Sequence, residues 1–179
     1  MLNRNEALLL VVDIQGKLAE IMEGRDLLFQ NVIKLIKGIK ILNIPIIWIE
    51  QNPQRMGQTT PCIKAELENL TPVPKMSFSC LAEPAIKEKI QNYGKRNIIL
   101  CGIETHVCIF QTAADLINSN YHVYVPADAV SSRTITNKTI GIERIKNTGG
   151  IVTSVEMCLF EMLRSASDPC FKDILNIVK

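Results

Sequence analysis

Histidine is scarce in this chain. There are two in 179 residues, His106 and His122, and they are not helix-spaced neighbours. None of the six cysteines forms a C-x-x-C pair. Together these absences exclude the common zinc patterns, and no metal or other cofactor is expected. Apolar runs are no longer than a strand, so no segment is expected to span a membrane. Basic residues are scattered and the net charge is only +2, which leaves no electrostatic footprint for nucleic acid. Neither G-x-G-x-x-G nor a Walker A sequence is present, so a nucleotide site has no positive support. The N-terminus runs into a strand without a signal-peptide cleavage pattern, and a cytoplasmic location is the expectation. Internal repeats, linkers and low-complexity stretches are also absent.

What is there reads as an ordinary globular chain, 47% hydrophobic and 21% charged. A single domain over 1–179 is expected, large enough to bury a core without disulfides. The cysteines are expected to be reduced thiols. Apolar strand-sized runs alternate with helical patterns. Ala7 to Val12, Ile46 to Ile49, Asn97 to Cys101, His122 to Pro126 and Ile151 to Val155 read as strands, with a further short edge strand ending at Lys75. Helical spacing covers Asp26 to Asn43, Pro61 to about Leu70, Pro84 to Tyr93, about Thr105 to Ser119, Ile135 to Asn147, Glu156 to Arg164 and Asp168 to Lys179. Glu50 to Thr60 reads as a loop. The pattern predicts βαβ units: a three-layer α/β/α sandwich on a doubly wound, mainly parallel sheet of five or six strands.

The chemistry gathers around Cys108. Gly102 breaks the strand at Asn97 to Cys101, and Cys108 falls in the first turn of the helix that follows. That is the carboxyl edge of a parallel sheet, where ligands bind. A helix N-terminus there should ease ionisation of the thiol. Cysteine is also a common core residue, and Cys101 reads as one. His106 is a poor base for Cys108, because positions i and i+2 of a helix point about 200° apart. His122 sits at the wrong end of its strand. By elimination the base is a carboxylate, and Asp13, which closes the first strand, is the best placed. Taken alone, Asp13 would serve equally as a turn residue. Lys75 would be a solvated surface lysine, unless it stands near a thiolate or an aspartate.

Leu9-Leu10-Val11-Val12-Asp13-Ile14-Gln15, Lys75-Met76-Ser77-Phe78-Ser79 and Gly102-Ile103-Glu104-Thr105-His106-Val107-Cys108, followed by Val125-Pro126-Ala127-Asp128-Ala129, resemble the isochorismatase-like hydrolase superfamily. The resemblance covers nearly the whole chain, in order, and is closest to the compact members. It implies a catalytic triad of Asp13, Lys75 and Cys108 and a cis peptide at Ile103–Glu104. Retention of the cysteine implies hydrolysis of a C–N bond in a small amide or ureido compound, through a thioester. The implied oxyanion donors are the backbone N–H groups of Glu104 and Cys108. Gln15, Trp48, Gln51, Phe78, Glu104 and Ile109 are expected to line the pocket beside the Ile103 peptide. Nicotinamidases of this superfamily carry an Asp-x-His-x-His metal site after the second strand. Here that stretch is Glu50-Gln51-Asn52-Pro53-Gln54, without histidine, so no metal is expected. A homo-oligomer is implied, with a small molecule as the substrate. The alternative is a non-catalytic protein of the same fold, with Cys108 as a redox-sensitive thiol or the chain as a partner-binding scaffold.

Overall fold

All six residues of the first strand, β1 (Ala7–Val12), are buried, yet they serve two different cores. Ala7, Leu9 and Val11 point into one, and Leu8, Leu10 and Val12 into the other. A continuous apolar run is what a strand covered on both faces requires. The computed structural model describes residues 1–179. Its other strands are β2 (Ile46–Gln51), β3 (Val73–Lys75), β4 (Asn97–Ile103), β5 (His122–Pro126), β6 (Val130–Ser131) and β7 (Ile151–Thr153). The helices are α1 (Gly16–Glu20), α2 (Arg25–Ile41), α3 (Pro53–Met56), α4 (Pro61–Glu66), α5 (Pro84–Tyr93), α6 (Phe110–Asn118), α7 (Ile135–Asn147), α8 (Val155–Leu163) and α9 (Phe171–Val178).

The strands form one parallel sheet in the order β3-β2-β1-β4-β5-β7. From β1 the chain winds outward through β2 to β3, then returns to the other side of β1 with β4. The carboxyl ends of β1 and β4 therefore flank the switch point, where an open α/β sheet leaves a crevice. Helices α2, α4, α8 and α9 cover one face through residues such as Val32, Ile63, Leu159 and Ile174. Helices α5, α6 and α7 cover the other through Ile86, Leu116 and Ile145. This is the expected three-layer α/β/α sandwich.

The sheet has seven strands rather than five or six. The unforeseen one, β6, has two residues and no periodicity to betray it. It pairs with the end of β4, Gly102 against Val130 and Ile103 against Ser131. The loop at 50–60 also contains the one-turn helix α3, and α1 went unread in the sequence. Helix α9 starts at Phe171 instead of Asp168, because Asp168 closes a turn by accepting the N–H groups of Cys170 and Phe171. Helices α7 and α8 begin under side-chain caps, Thr134 to the Asn137 N–H and Ser154 to the Met157 N–H.

Gly102 is the residue the switch point cannot replace. Its φ is +127°, and an added Cβ would lie 1.9 Å from the Val12 carbonyl oxygen. The close approach of β4 to β1 therefore requires a residue with no side chain. Gly102→Ala is expected to destabilise the fold by about 1–3 kcal/mol or more, as overpacking of backbone against backbone does. Chemical denaturation measures this, and an unchanged midpoint would mean that the strands are not held this closely.

Candidate active site

Three side chains meet at the carboxyl ends of β1, β3 and β4. Asp13 follows β1 directly and turns the chain with a φ of +56°. Its N–H still bonds to the Ile49 carbonyl, so the aspartate is anchored to the sheet as it leaves it. Lys75 ends the edge strand β3, opposite Gln51 of β2. Cys108 lies in a π-helical turn, Thr105–Ile109, in which the Glu104 carbonyl accepts both the Val107 and Ile109 N–H groups. The preceding Ile103–Glu104 peptide bond is cis. Helix α7 presses on this turn through Gly141, where a Cβ would come within 2.9 Å of the His106 nitrogen.

The Lys75 Nζ lies 2.7 Å from Asp13 Oδ2 and 3.7 Å from Cys108 Sγ. Asp13 and Lys75 are each only 2% exposed and Cys108 8%. The ammonium also donates to Gln51 Oε1 at 2.5 Å and to the Ser77 carbonyl at 3.2 Å. Asp13 faces the Lys75 ammonium, the Cys108 thiol and the Gln51 backbone N–H, yet neither of its carboxylate oxygens accepts a well-directed hydrogen bond. A buried carboxylate with acceptor capacity left over is what a proton acceptor needs. The N–H of Glu104 likewise finds no acceptor within the chain, next to the turn that carries the thiol.

Burial pushes the Asp13 carboxyl above its usual range, against the pull of the Lys75 charge. Burial alone would push the Lys75 ammonium down; the neighbouring Asp13 charge foremost outweighs it, and the lysine's pKa is raised. The Cys108 thiol is pushed up to about 12, by burial first and by the Asp13 charge second, with Lys75 only partly compensating. This corrects the expectation of an easily ionised thiol. Withdrawal from water and the neighbouring carboxylate outweigh the turn's dipole. The thiol is held in its neutral form beside the Asp13–Lys75 pair.

Gln51 belongs to this group, holding Lys75 through its Oε1 and the Met76 carbonyl through its Nε2. Glu104 borders it, but its carboxylate is taken by the N–H and Nε of Arg133, at 3.2 and 3.1 Å. Of the other residues expected in the pocket, most are buried in the cores or engaged in loop contacts. Gln15 is fully buried; its amide donates to the Gln51 and Gly57 carbonyls and accepts the Gln51 N–H, so it clamps loops and has nothing left for a ligand. Trp48 faces the opposite core, because it pairs with Val11 and shares that residue's side of the sheet. Ile103 and Ile109 are fully buried in the two cores, so only the Ile103 peptide borders the site. Phe78 is 55% exposed on the loop after Lys75. His106 bonds to Ser132 Oγ at 3.0 Å, away from the thiol.

Sequence reasoning missed three supports. Glu83 accepts the Met76 and Ser77 N–H groups, at 2.7 and 2.8 Å, and holds the loop that carries Lys75. Those bonds lower its pKa. Its position just before Pro84 was the available signal. Cys80 is buried nearby, its N–H on Thr112 Oγ1 one turn after Cys108, and burial pushes its thiol up to about 12. Arg133 had no local signal. A cleft of about 300 Å³ opens beside Lys75, between Gln54, Met76 and Glu83. No group of three or more His, Cys, Asp or Glu side chains gathers anywhere to hold a metal ion.

The fold is a three-layer α/β/α sandwich with its candidate reactive groups at the switch point of a parallel sheet. Residues 7–157 match the isochorismatase domain, and the chain belongs to the isochorismatase family. It is 36% identical to the secreted isochorismatase effector Isc1 of Phytophthora sojae, over 98% of this chain and 85% of that protein. Among solved structures it is similar to the MAR1 ribonuclease from Caenorhabditis elegans, with a TM-score of 0.92 and 32% identity over 99% of this chain and 91% of the other. The YcaC gene product from Escherichia coli, an octameric hydrolase of unknown specificity, shares the fold with a TM-score of 0.89 at 20% identity, over 99% and 94% of the two chains.

Replacing Gln15 by Leu would strand the Gln51 N–H and two carbonyls in the interior, each unsatisfied group costing about 1–3 kcal/mol. The expected result is a less stable protein with a loosened Lys75, seen as a lower unfolding midpoint together with reduced turnover. A fully stable, fully active variant would show that the clamp does not position the site.

Proposed function

We propose that the chain hydrolyses a C–N bond of a small amide or ureido compound, with Cys108 as nucleophile, Asp13 as general base and Lys75 as the cation between them. The observation that carries this reading is the buried Asp13–Lys75 pair lying against the Cys108 sulfur. As Sγ attacks the carbonyl carbon, its proton passes to Asp13 and the carbonyl oxygen becomes an oxyanion. The free N–H of Glu104 and the N–H of Cys108 receive that charge; one such donor is worth about 3–4 kcal/mol in other hydrolases. Collapse breaks the C–N bond, and Asp13 returns the proton to the departing nitrogen. Water, deprotonated by Asp13, then attacks the thioester, and the carboxylic or carbamic acid leaves as the thiol is regenerated. Lys75 keeps Asp13 ionised between steps.

The redox-sensor alternative needs a thiol that ionises readily, and burial beside a carboxylate opposes that. The nematode relative carries the name of a ribonuclease. A single nucleophile with one fully engaged lysine suits an acyl carbon better than a phosphodiester, whose negative charge would meet Asp13. In this reading the whole of 1–179 is one domain and the substrate is a small molecule; nucleic acid and membrane play no part. Six unpaired cysteines support a reducing, cytoplasmic setting, although the Phytophthora relative is named as secreted. Exposed Ile135, Ile140 and Met157 support a homo-oligomer, as the Escherichia coli octamer does.

Screening small amides and ureas against the wild type and Cys108→Ala tests the assignment, with intact-mass detection of an acyl adduct on Cys108. Turnover is expected to vanish in Cys108→Ala and to fall by about 10²–10⁴ in Asp13→Asn, the usual worth of a general base. Turnover that survives loss of the sulfur would remove the thioester route. The pH profile has a defined sign. Asp13 must be ionised to accept the proton, and its pKa is raised, so kcat/KM should fall with acid at a pH above the ordinary aspartate range. An acid limb at or below that range would contradict a buried base.

A further inference from the structure

A cleft of about 800 Å³ lies away from Cys108, on the face of the sheet that Trp48 occupies. Trp48, Thr59, Lys64, Glu68 and Leu70 form its walls, and Glu50 is its innermost charge. Glu50 is 4% exposed. Its Oε1 accepts both the N–H and the hydroxyl of Thr59, each at 2.7 Å, and the Trp48 indole N–H donates to the same hydroxyl at 2.7 Å. Both of the Thr59 bonds fall on Oε1; no hydrogen bond within the chain reaches the second oxygen, Oε2, and Glu50 lines the cleft.

Three carboxylates are buried in this protein: Asp13, Glu50 and Glu104. Asp13 has Lys75 and Glu104 has Arg133. Glu50 has no basic partner. The one lysine in the cleft wall, Lys64, donates to Gln58 Oε1 at 2.9 Å. A buried carboxylate without a cation is costly, and a ligand that brings one recovers that energy. A metal ion is a poor fit, since it needs several oxygen ligands and no such group gathers here. An ammonium needs a single anionic acceptor and brings three donors.

We propose that this cleft is a second ligand site, for a small organic amine whose ammonium group binds Glu50 Oε2 and whose carbon chain lies along Trp48 and Leu70. Glu68 provides a second carboxylate in the same wall, which favours a short diamine over a monoamine. The site is independent of the reading of Cys108, which points into the other core.

Trp48 is the only tryptophan in the chain, so its fluorescence and its indole N–H resonance report on this cleft alone. The full chain is titrated with 1,4-diaminobutane at constant ionic strength, with butane-1,4-diol as the uncharged twin. A saturable change is expected with the diamine and none with the diol. Glu50→Gln keeps a carbonyl for Thr59 and is expected to weaken the diamine by about tenfold or more, the worth of a hydrogen bond to a charged group. Cys108→Ala is expected to bind it unchanged. No saturable response, or an equal response to the diol, overturns the proposal. So does loss of binding in Cys108→Ala, which would put the amine at the reacting centre. If Glu50→Gln does not fold, the contrast between diamine and diol at the Trp48 indole resonance decides the matter.

Discussion

Everything at the candidate site depends on one buried ion pair. Asp13 and Lys75 have both left water, and taking two charges out of water is expensive. Lys75 is compensated on every side: by Asp13, the Gln51 amide oxygen, the Ser77 carbonyl and the Cys108 sulfur. Gln15 holds Gln51, and Glu83 holds the loop that supplies Ser77. Losing one member of such a pair typically costs about 3–5 kcal/mol, because the other charge is left stranded. The clamps around it are therefore part of the candidate site as well as of the fold.

The pair also bears on how a thiol with a raised pKa would serve as the proposed nucleophile. A thiol held up to about 12 is inert at rest. The carboxylate that raises it is itself a stronger base than an ordinary aspartate. In the proposed reaction, proton transfer would wait for an electrophile that draws off the developing negative charge. On the proposed reading, this would restrict reaction to substrates that fit against the free N–H at Glu104.

Much of this was legible in the sequence. The run Ala7 to Val12 ending in Asp13, and the break at Gly102 before Cys108, placed two residues at neighbouring strand ends. Only a doubly wound sheet brings those ends together. Lys75 was not legible alone, because a lysine between prolines is usually solvated; its burial depends on β3 pairing with β2. The lining residues fared worse for a geometric reason. Side chains alternate across a strand, so Trp48 and Gln51, three residues apart, fall on opposite faces. No local pattern tells which face carries the site. The thiol's ionisation is not legible for a similar reason: a helix N-terminus can be seen in sequence, but the depth of burial that overrides it cannot.

The most direct test of the account is the pH dependence of Cys108 alkylation by iodoacetamide, followed by peptide mass spectrometry in natively folded wild type, Asp13→Asn and Lys75→Met. The wild-type profile should rise only at alkaline pH, because the thiol is neutral at rest. Removing the Asp13 charge should shift it to lower pH, and removing the Lys75 charge should shift it higher. Opposite shifts would place all three residues in one electrostatic unit. A wild-type thiol that reacts fast at neutral pH, or a profile indifferent to both substitutions, would contradict the account.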